Sequence, residues 1–320
     1  MSQEVIIKCN NCSAPLEYTP ESIFIICSYC GNVNWFLEES KTQIFVIPSK
    51  NEGEVVNAFW DRMKKDEDMK KVVNELEIVD VYGVYVPIFL SRIDVSSLWN
   101  GIERKTITKN GKTRVVTIKK SGKFSDEILL SIPARRVTEE FGLEEIIEKI
   151  SNNPPDHVNI EEVNWNEVKL QVLNSEISIN EASDKLKDKA EDNIRKRIKK
   201  ENNLNEFIFY SCDSKIKEMK LLLAPLWIIS YKYKKGIYNI AISGNDLTFL
   251  KTTEPVFFYQ RIFQLIGSAL ATLAGIGLLS LMFKVQENIT FFVIACIACF
   301  SFAYSLSRKT ISDVRIERWK

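Results

Sequence analysis

Cys9-Asn10-Asn11-Cys12, followed after fourteen residues by Cys27-Ser28-Tyr29-Cys30-Gly31, is the stretch on which the reading of this 320-residue chain turns. In a chain of this length, two C-x-x-C pairs so close together point to a metal rather than to a disulfide framework. Two such knuckles joined by a short connection bring four soft thiolates to the corners of a tetrahedron, the geometry zinc takes in structural sites. Gly31 permits the tight turn in which backbone N–H groups aim at sulfur. The spacing therefore predicts Zn2+ held by Cys9, Cys12, Cys27 and Cys30, with iron or a redox pair as the alternatives. Four thiolates leave no open position for water, so the predicted role is structural. Leu16 to Tyr18 and Ile23 to Ile26 read as two short strands, with Thr19-Pro20-Glu21-Ser22 as the turn between them.

Many zinc ribbons bind nucleic acid, and charge tests that idea here. Residues 1–50 carry Lys8, Lys41 and Lys50 against Glu4, Glu17, Glu21, Glu38 and Glu39, the wrong sign for a phosphate-binding surface. A protein contact or a purely structural role is preferred for this segment. The whole chain is nearly balanced, with 43 basic and 42 acidic side chains. Any case for nucleic acid or anionic lipid must then rest on a local patch.

Outward from the cysteines the pattern alternates between helix and strand. Glu52 to about Leu76 reads as a helix, with Val55, Val56, Phe59, Trp60 and Met63 on one face. Ile78 to Val86 reads as a strand, and Asn110-Gly111 marks a hairpin between 106–109 and 112–119. Glu139 to Ile150 is a predicted helix, stopped by Ser151-Asn152-Asn153-Pro154-Pro155. Asn180 to Asn202 is a charged helix on a spine of Ala182, Leu186, Ala190, Ile194 and Ile198. Leu226 to Tyr233 and Ile237 to Ile242 return to strand. The expected fold is α+β with antiparallel sheets. Its segments are a zinc ribbon over 1–36, a body with a first sheet over 37–155, a helix plus a second sheet over 156–260, and an anchor with a basic tail over 261–320.

Ile262 to Phe283 contains no charged residue, and its 22 positions reach about 33 Å as a helix. Ile289 to Leu306 is also uncharged and reaches about 27 Å. Five residues, 284–288, separate them, so a two-helix transmembrane hairpin is expected. Gly267, Ala271 and Gly275 recur every four residues and predict a close helix–helix face. Cys296 and Cys299 repeat the C-x-x-C spacing but read as small apolar packing residues among Ala, Ile and Phe. Arg261 precedes the pair and Arg308, Lys309, Arg315, Arg318 and Lys320 follow it, so the basic side is predicted to stay in the cytoplasm. Both termini of a multi-pass cell-membrane protein would then lie inside, where thiolates also stay reduced. The N-terminus has no basic flank leading into an apolar run, and no secretory signal is expected.

Catalytic patterns are missing. Gly111-Lys112-Thr113 resembles the end of a phosphate loop, but Thr106 stands where its upstream Gly belongs. His157, the single histidine, falls in the Pro-rich loop, and no nucleophile elbow is present. A non-enzymatic protein is expected.

The order of these parts resembles a family of prokaryotic zinc-ribbon membrane proteins, some of which are labelled primosomal or helicase-like because of the ribbon. The resemblance runs through Cys9 to Tyr18, Cys27 to Gly31, Val84-Tyr85-Val86-Pro87-Ile88-Phe89 and Leu222 to Tyr233, then on through Gly236-Ile237-Tyr238. The chain departs from the family at Asn245-Asp246-Leu247, where an Asn-Gly-x-Thr-Gly turn is usual, and Phe89 stands where Trp is common. The resemblance implies a membrane anchor of the kind found in phage-shock-type modules, which recruit a cytosolic protein to a stressed bilayer. The expected function is thus a membrane-anchored scaffold with a protein partner at the cytosolic face. The alternative is a membrane-tethered nucleic-acid-binding regulator.

Overall fold

The computed structural model describes residues 7–16, 24–27, 29–35, 43–109, 112–136, 140–165, 168, 170–284, 289–311 and 314–318. It divides into two compact units. One comprises Met1–Val55, Tyr82–Trp227 and Ile242–Thr248; the other comprises Val56–Val81, Ile228–Ala241 and Phe249–Lys320.

In the first unit, β1 (Ile7–Lys8) pairs antiparallel with β2 (Pro15–Leu16), and β3 (Phe24–Ile26) pairs antiparallel with β4 (Val33–Trp35). Each C-x-x-C pair is thus the turn of its own hairpin. The described strands thus pair outward, across each knuckle, because a knuckle reverses the chain by itself. Glu17, Tyr18, Ile23 and the Thr19–Ser22 turn lie outside the described residues.

The strand β5 (Gln43–Val46) runs parallel to the middle of β10 (Glu206–Tyr233) and antiparallel to β8 (Val158–Asn159). Beside β10 lies β6 (Leu76–Lys109), which also pairs with β7 (Lys112–Pro133) and β9 (Gln171–Val172). The β6–β7 ladder runs from Ile88↔Pro133 out to Lys109↔Lys112. That register leaves a two-residue connection, Asn110-Gly111, which is outside the described residues. Nine strands, from before and after residue 155, are linked by hydrogen-bonded pairings.

One face of this sheet is buried under α3 (Ile179–Glu201), whose side chains Ala182, Leu186, Ala190, Ile194 and Ile198 are at most 2% exposed. They pack with Phe89, Ile93, Val95 and Trp99 of β6, Ile132 of β7 and Leu221 of β10, and Phe24 of β3 joins the same cluster. Ser178 caps α3 by accepting from the Glu181 N–H, which satisfies one of the open donors of the first turn. The helix expected from Glu139 begins later, as α2 (Leu143–Asn152), after Gly142 at a φ of 91°. Glu139 itself lies outside the described residues.

The second unit holds most of α1 (Glu52–Lys65), with Phe59 and Met63 fully buried. The helix stops eleven residues short of the expected Leu76, because the Asp66 carboxylate accepts from the N–H groups of Asp68 and Met69 and starts a tighter turn. Phe59 meets Tyr231 at 5.4 Å between ring centroids, and Tyr231 meets Tyr238 at 5.6 Å. Arg62 reaches the fully buried carboxylate of Glu254 at 3.0 Å and lies over the Phe249 ring. The strands β11 (Gly236–Ser243) and β12 (Phe249–Pro255) lead into α4 (Phe258–Lys284) and α5 (Ile289–Ile311). After α5 the chain forms β13 (Val314–Arg318), antiparallel to β12 from Pro255↔Val314 to Lys251↔Arg318. The basic tail is therefore in part a strand, which its five residues were too few to announce.

Candidate metal centre and the apolar helix pair

The two knuckles repeat one hydrogen-bond pattern. The Cys9 N–H donates to Ala14 O and the Ser13 N–H to Cys9 O, at 2.8 and 2.9 Å. The Cys27 N–H donates to Asn32 O and the Gly31 N–H to Cys27 O, both at 2.9 Å. Ser13 and Gly31 thus hold equivalent positions, and both are left-handed, with φ of 61° and 70°. Gly31 adopts this freely, whereas Ser13 does so at the steric expense of its Cβ.

The knuckles bring the Sγ atoms of Cys9, Cys12, Cys27 and Cys30 within 4.8 Å of one another. Cys9 lies 3.6 Å from Cys30, and Cys12 lies 3.6 Å from Cys27. Tetrahedral coordination at a metal–sulfur distance of about 2.3 Å needs sulfur–sulfur edges of roughly 3.8 Å. A disulfide would need about 2.05 Å, and all seven cysteines are free thiols. The four side chains form a group that can hold a metal ion.

Electrostatics favours a cation at their centre. The backbone N–H of Cys12, opposed by burial and helped by the Asn11 N–H and the Asn34 amide, brings the Cys9 thiol down to about 6. At Cys12 the backbone N–H of Ala14 favours thiolate, but the sulfurs of Cys30, Cys27 and Cys9, with burial, push it up to about 12. Four sulfurs this close do not ionise together unless positive charge shares the site. Leu16 and Ile25, with Cys9 and Cys27, make up the small apolar cluster beneath them. So small a core adds little stability by itself, and Phe24, Ile26 and Val33 of the second hairpin pack against the main core instead.

Asn34 of β4 ties the two hairpins together. Its side chain is 2% exposed; the amide NH2 faces Cys9 Sγ at 3.6 Å, Ile25 O at 3.4 Å and Asn32 O at 2.9 Å. Its Oδ1 accepts from the Asn10 N–H at 2.8 Å. Nothing in the cysteine spacing singles out Asn34, and sequence reasoning missed it. Only its place four residues after Cys30, on the strand that closes the second knuckle, was available as a signal.

The windows Ile262–Leu281 and Thr290–Arg308 are long and apolar enough to cross a membrane, and only 6% and 11% of them are buried. The two helices pack antiparallel along a narrow face. Ser268 Oγ donates to Ala303 O at 3.1 Å and lies 2.7 Å from Ser307 Oγ. Gly275 is buried, and a Cβ there would come within 2.9 Å of the Phe300 ring. At Gly267 a Cβ would come within 3.1 Å of Leu306. Ala271 is half-buried on the same helix. Cys296 Sγ donates to Gly275 O at 3.6 Å, so it packs in this face, and Cys299 is half-buried beside it in sequence. Most of the remaining surface is apolar and open, including Phe263, Leu270, Leu273, Phe291, Ile297 and Phe302.

Other sequence features find ordinary places. Lys112 and Thr113 belong to strand β7. His157 is half-buried, with Nδ1 3.1 Å from Pro155 O and its ring edge-on to Phe45. Compared with known proteins, the chain matches no family model, no curated sequence and no solved structure.

Proposed function

We propose that this chain is a membrane-anchored zinc-ribbon scaffold that recruits a cytosolic protein partner to the bilayer in envelope maintenance or membrane stress. The observation that carries the reading is the helix pair. Two apolar stretches of membrane-crossing length leave most of their side chains exposed and few buried, a large apolar patch of the kind that marks a membrane or partner contact. The pairing of β12 with β13 supports a two-pass arrangement, because it joins the chain entering α4 to the chain leaving α5. Basic residues flank that end and the 284–288 connection carries one Lys and one Glu, which supports cytoplasmic termini.

In this reading Cys9, Cys12, Cys27 and Cys30 hold Zn2+ as a cross-link between the two hairpins. Four thiolates fill the coordination shell, so the ion binds no substrate and the ribbon acts as a rigid module. Asn34 and the knuckle N–H groups orient and partly neutralise the sulfurs. The resemblance to zinc-ribbon membrane proteins, through the cysteine stretches and the Val84–Phe89 and Leu222–Tyr233 segments, supports the scaffold role. The net acidity of residues 1–50 speaks against nucleic acid as the partner of the ribbon.

Crosslinking in intact membranes, followed by capture of the full chain, tests the proposal. A reproducible protein partner, one zinc per chain and cytoplasmic reporters at both ends are expected. No partner above the level of a lipid-only control, or an N-terminus on the far side, would overturn it.

A further inference from the structure

The β6–β7 ribbon continues past the end of α3, and its chemistry changes where the helix stops. Side chains alternate between the two faces of a strand, so positions 93, 95 and 99 lie on the same face as 103, 105, 107 and 109. Under α3 that face carries Ile93, Val95 and Trp99, all buried. The last cover is Leu204, which lies against Gly101. Beyond Glu103, Lys105 and Ile107 on β6 and Arg114 and Val116 on β7 share the face, and all four are exposed. The register adds Lys109 and Lys112 to it, directly opposite each other.

The segregation of charge is steep. From Glu103 to Lys123 there are eight basic residues and one acid, within a chain of formal net charge +1, so the remainder of the chain is net acidic. Glu103 binds Lys105 and Lys120 and Glu206 binds Arg104, whereas no ion pair forms at Arg114, Lys119 or Lys123 among the described residues. The C-terminal turns of α3 add exposed Lys196, Lys199 and Lys200 at the foot of the ribbon, where Lys120 Nζ donates to Asn202 O at 2.8 Å.

We infer that this basic face of the β6–β7 ribbon binds the anionic surface of a phospholipid bilayer. The inference rests on the membrane reading above, which places the chain where such a surface is always at high local concentration. The residue types select lipid over nucleic acid. Lysine outnumbers arginine six to two in the segment, and exposed Ile107 and Val116 stand between the cations. Long apolar stems and β-branched side chains suit the headgroup boundary. Nucleic-acid ribbons instead rely on aromatic platforms and on planar Arg, Asn and Gln readers, and residues 103–123 contain no aromatic.

The test uses the full chain in nanodiscs of neutral phosphatidylcholine, mixed with liposomes. Incorporation into the disc reads the anchor, and sedimentation with the liposomes reads the ribbon, so the two claims fail separately. Discs bearing the chain are expected to sediment with liposomes containing about 30% phosphatidylserine, but not with neutral ones, and to be released by high salt. The K105Q/K109Q/K112Q/R114Q variant is expected to bind about fivefold more weakly for each charge removed. K119Q/K123Q, on the opposite face, is expected to lose much less. Unchanged metal content and melting temperature show that either variant is folded. Sedimentation that ignores lipid charge, or equal losses in the two variants, would overturn the inference. So would tighter binding of a random-sequence DNA duplex than of the anionic liposomes at the same salt.

Discussion

Replacing Asn34 separates a metal-organising amide from a merely buried one. Asn34→Ala removes the donors facing Cys9 Sγ, Ile25 O and Asn32 O and the acceptor for Asn10 N–H. Asn10 is exposed and Asn32 half-buried, so water can replace those partners, and Ile25 O keeps its main-chain partner across the β3–β4 ladder. Each side-chain hydrogen bond lost then costs about 0.5–1.5 kcal/mol. Loss of an outer-shell donor to a ligand typically weakens metal binding by about 10–100-fold. Asn34→Asp keeps the shape and the acceptor for Asn10 but turns an acceptor toward the sulfur 3.6 Å away. At an effective dielectric of about 20, two unit negative charges at that distance repel by roughly 4–5 kcal/mol, until the carboxyl takes up a proton. The expected order of zinc affinity is parent, then Asn34→Ala, then Asn34→Asp, read by competition with a chromophoric chelator on the full chain in neutral detergent. If both variants hold zinc as tightly as the parent, or if Asp binds more tightly than Ala, the assignment of Asn34 to the metal is refuted.

Ser13→Gly should raise stability by up to about 1 kcal/mol, because it removes the Cβ from a left-handed residue equivalent to Gly31; a lower melting temperature would contradict the equivalence of the knuckles. Arg62→Met should lower stability by about 3–5 kcal/mol, since it strips the guanidinium from a carboxylate with no exposure. Adding Glu254→Leu should restore much of that loss in thermal unfolding. Glu103 is held below the usual carboxylate range by Lys120 and then Lys105. Its contribution is therefore present above the ordinary Glu pKa of about 4.3 and lost as pH falls through the lowered folded value. The melting-temperature gap between the parent and Glu103→Gln should accordingly close on acidification.

Local rules made much of this fold legible. The spine of α3 could be read because five apolar residues at spacings of four in a charged segment have one face to bury. The β6–β7 register could be read from Asn110-Gly111, since a two-residue turn leaves a single ladder open to the flanking strands. Non-local pairing was not legible. Nothing in β10 announces that its middle runs parallel to β5 while it also pairs with β6 and β11. The early stop of α1 was hidden for a different reason. Asp66 ends the helix through its own side chain, while the apolar spacing continues into the 3-10 turns around Met69 and Val73.

The same contrast holds at the candidate sites. The four-thiol cluster was legible because metal ligands must be spaced by the knuckle that presents them. Asn34 was not, because an outer-shell amide needs only to arrive, from whichever strand passes. The basic ribbon shows a third case. Its lysines are plain in the sequence, and alone they look like any solvated strand. Their meaning comes from a boundary that only the fold draws. On one sheet face, Ile93, Val95 and Trp99 lie beneath α3, and Lys105 and Arg114 begin where α3 no longer covers it. An uncovered extension of a core face has two ways to stay soluble, becoming polar without preference or becoming charged with one sign. Mixed charge would suffice for solubility. The choice of a single sign, with apolar side chains kept between the cations, is the part that solubility does not account for and that an anionic surface does.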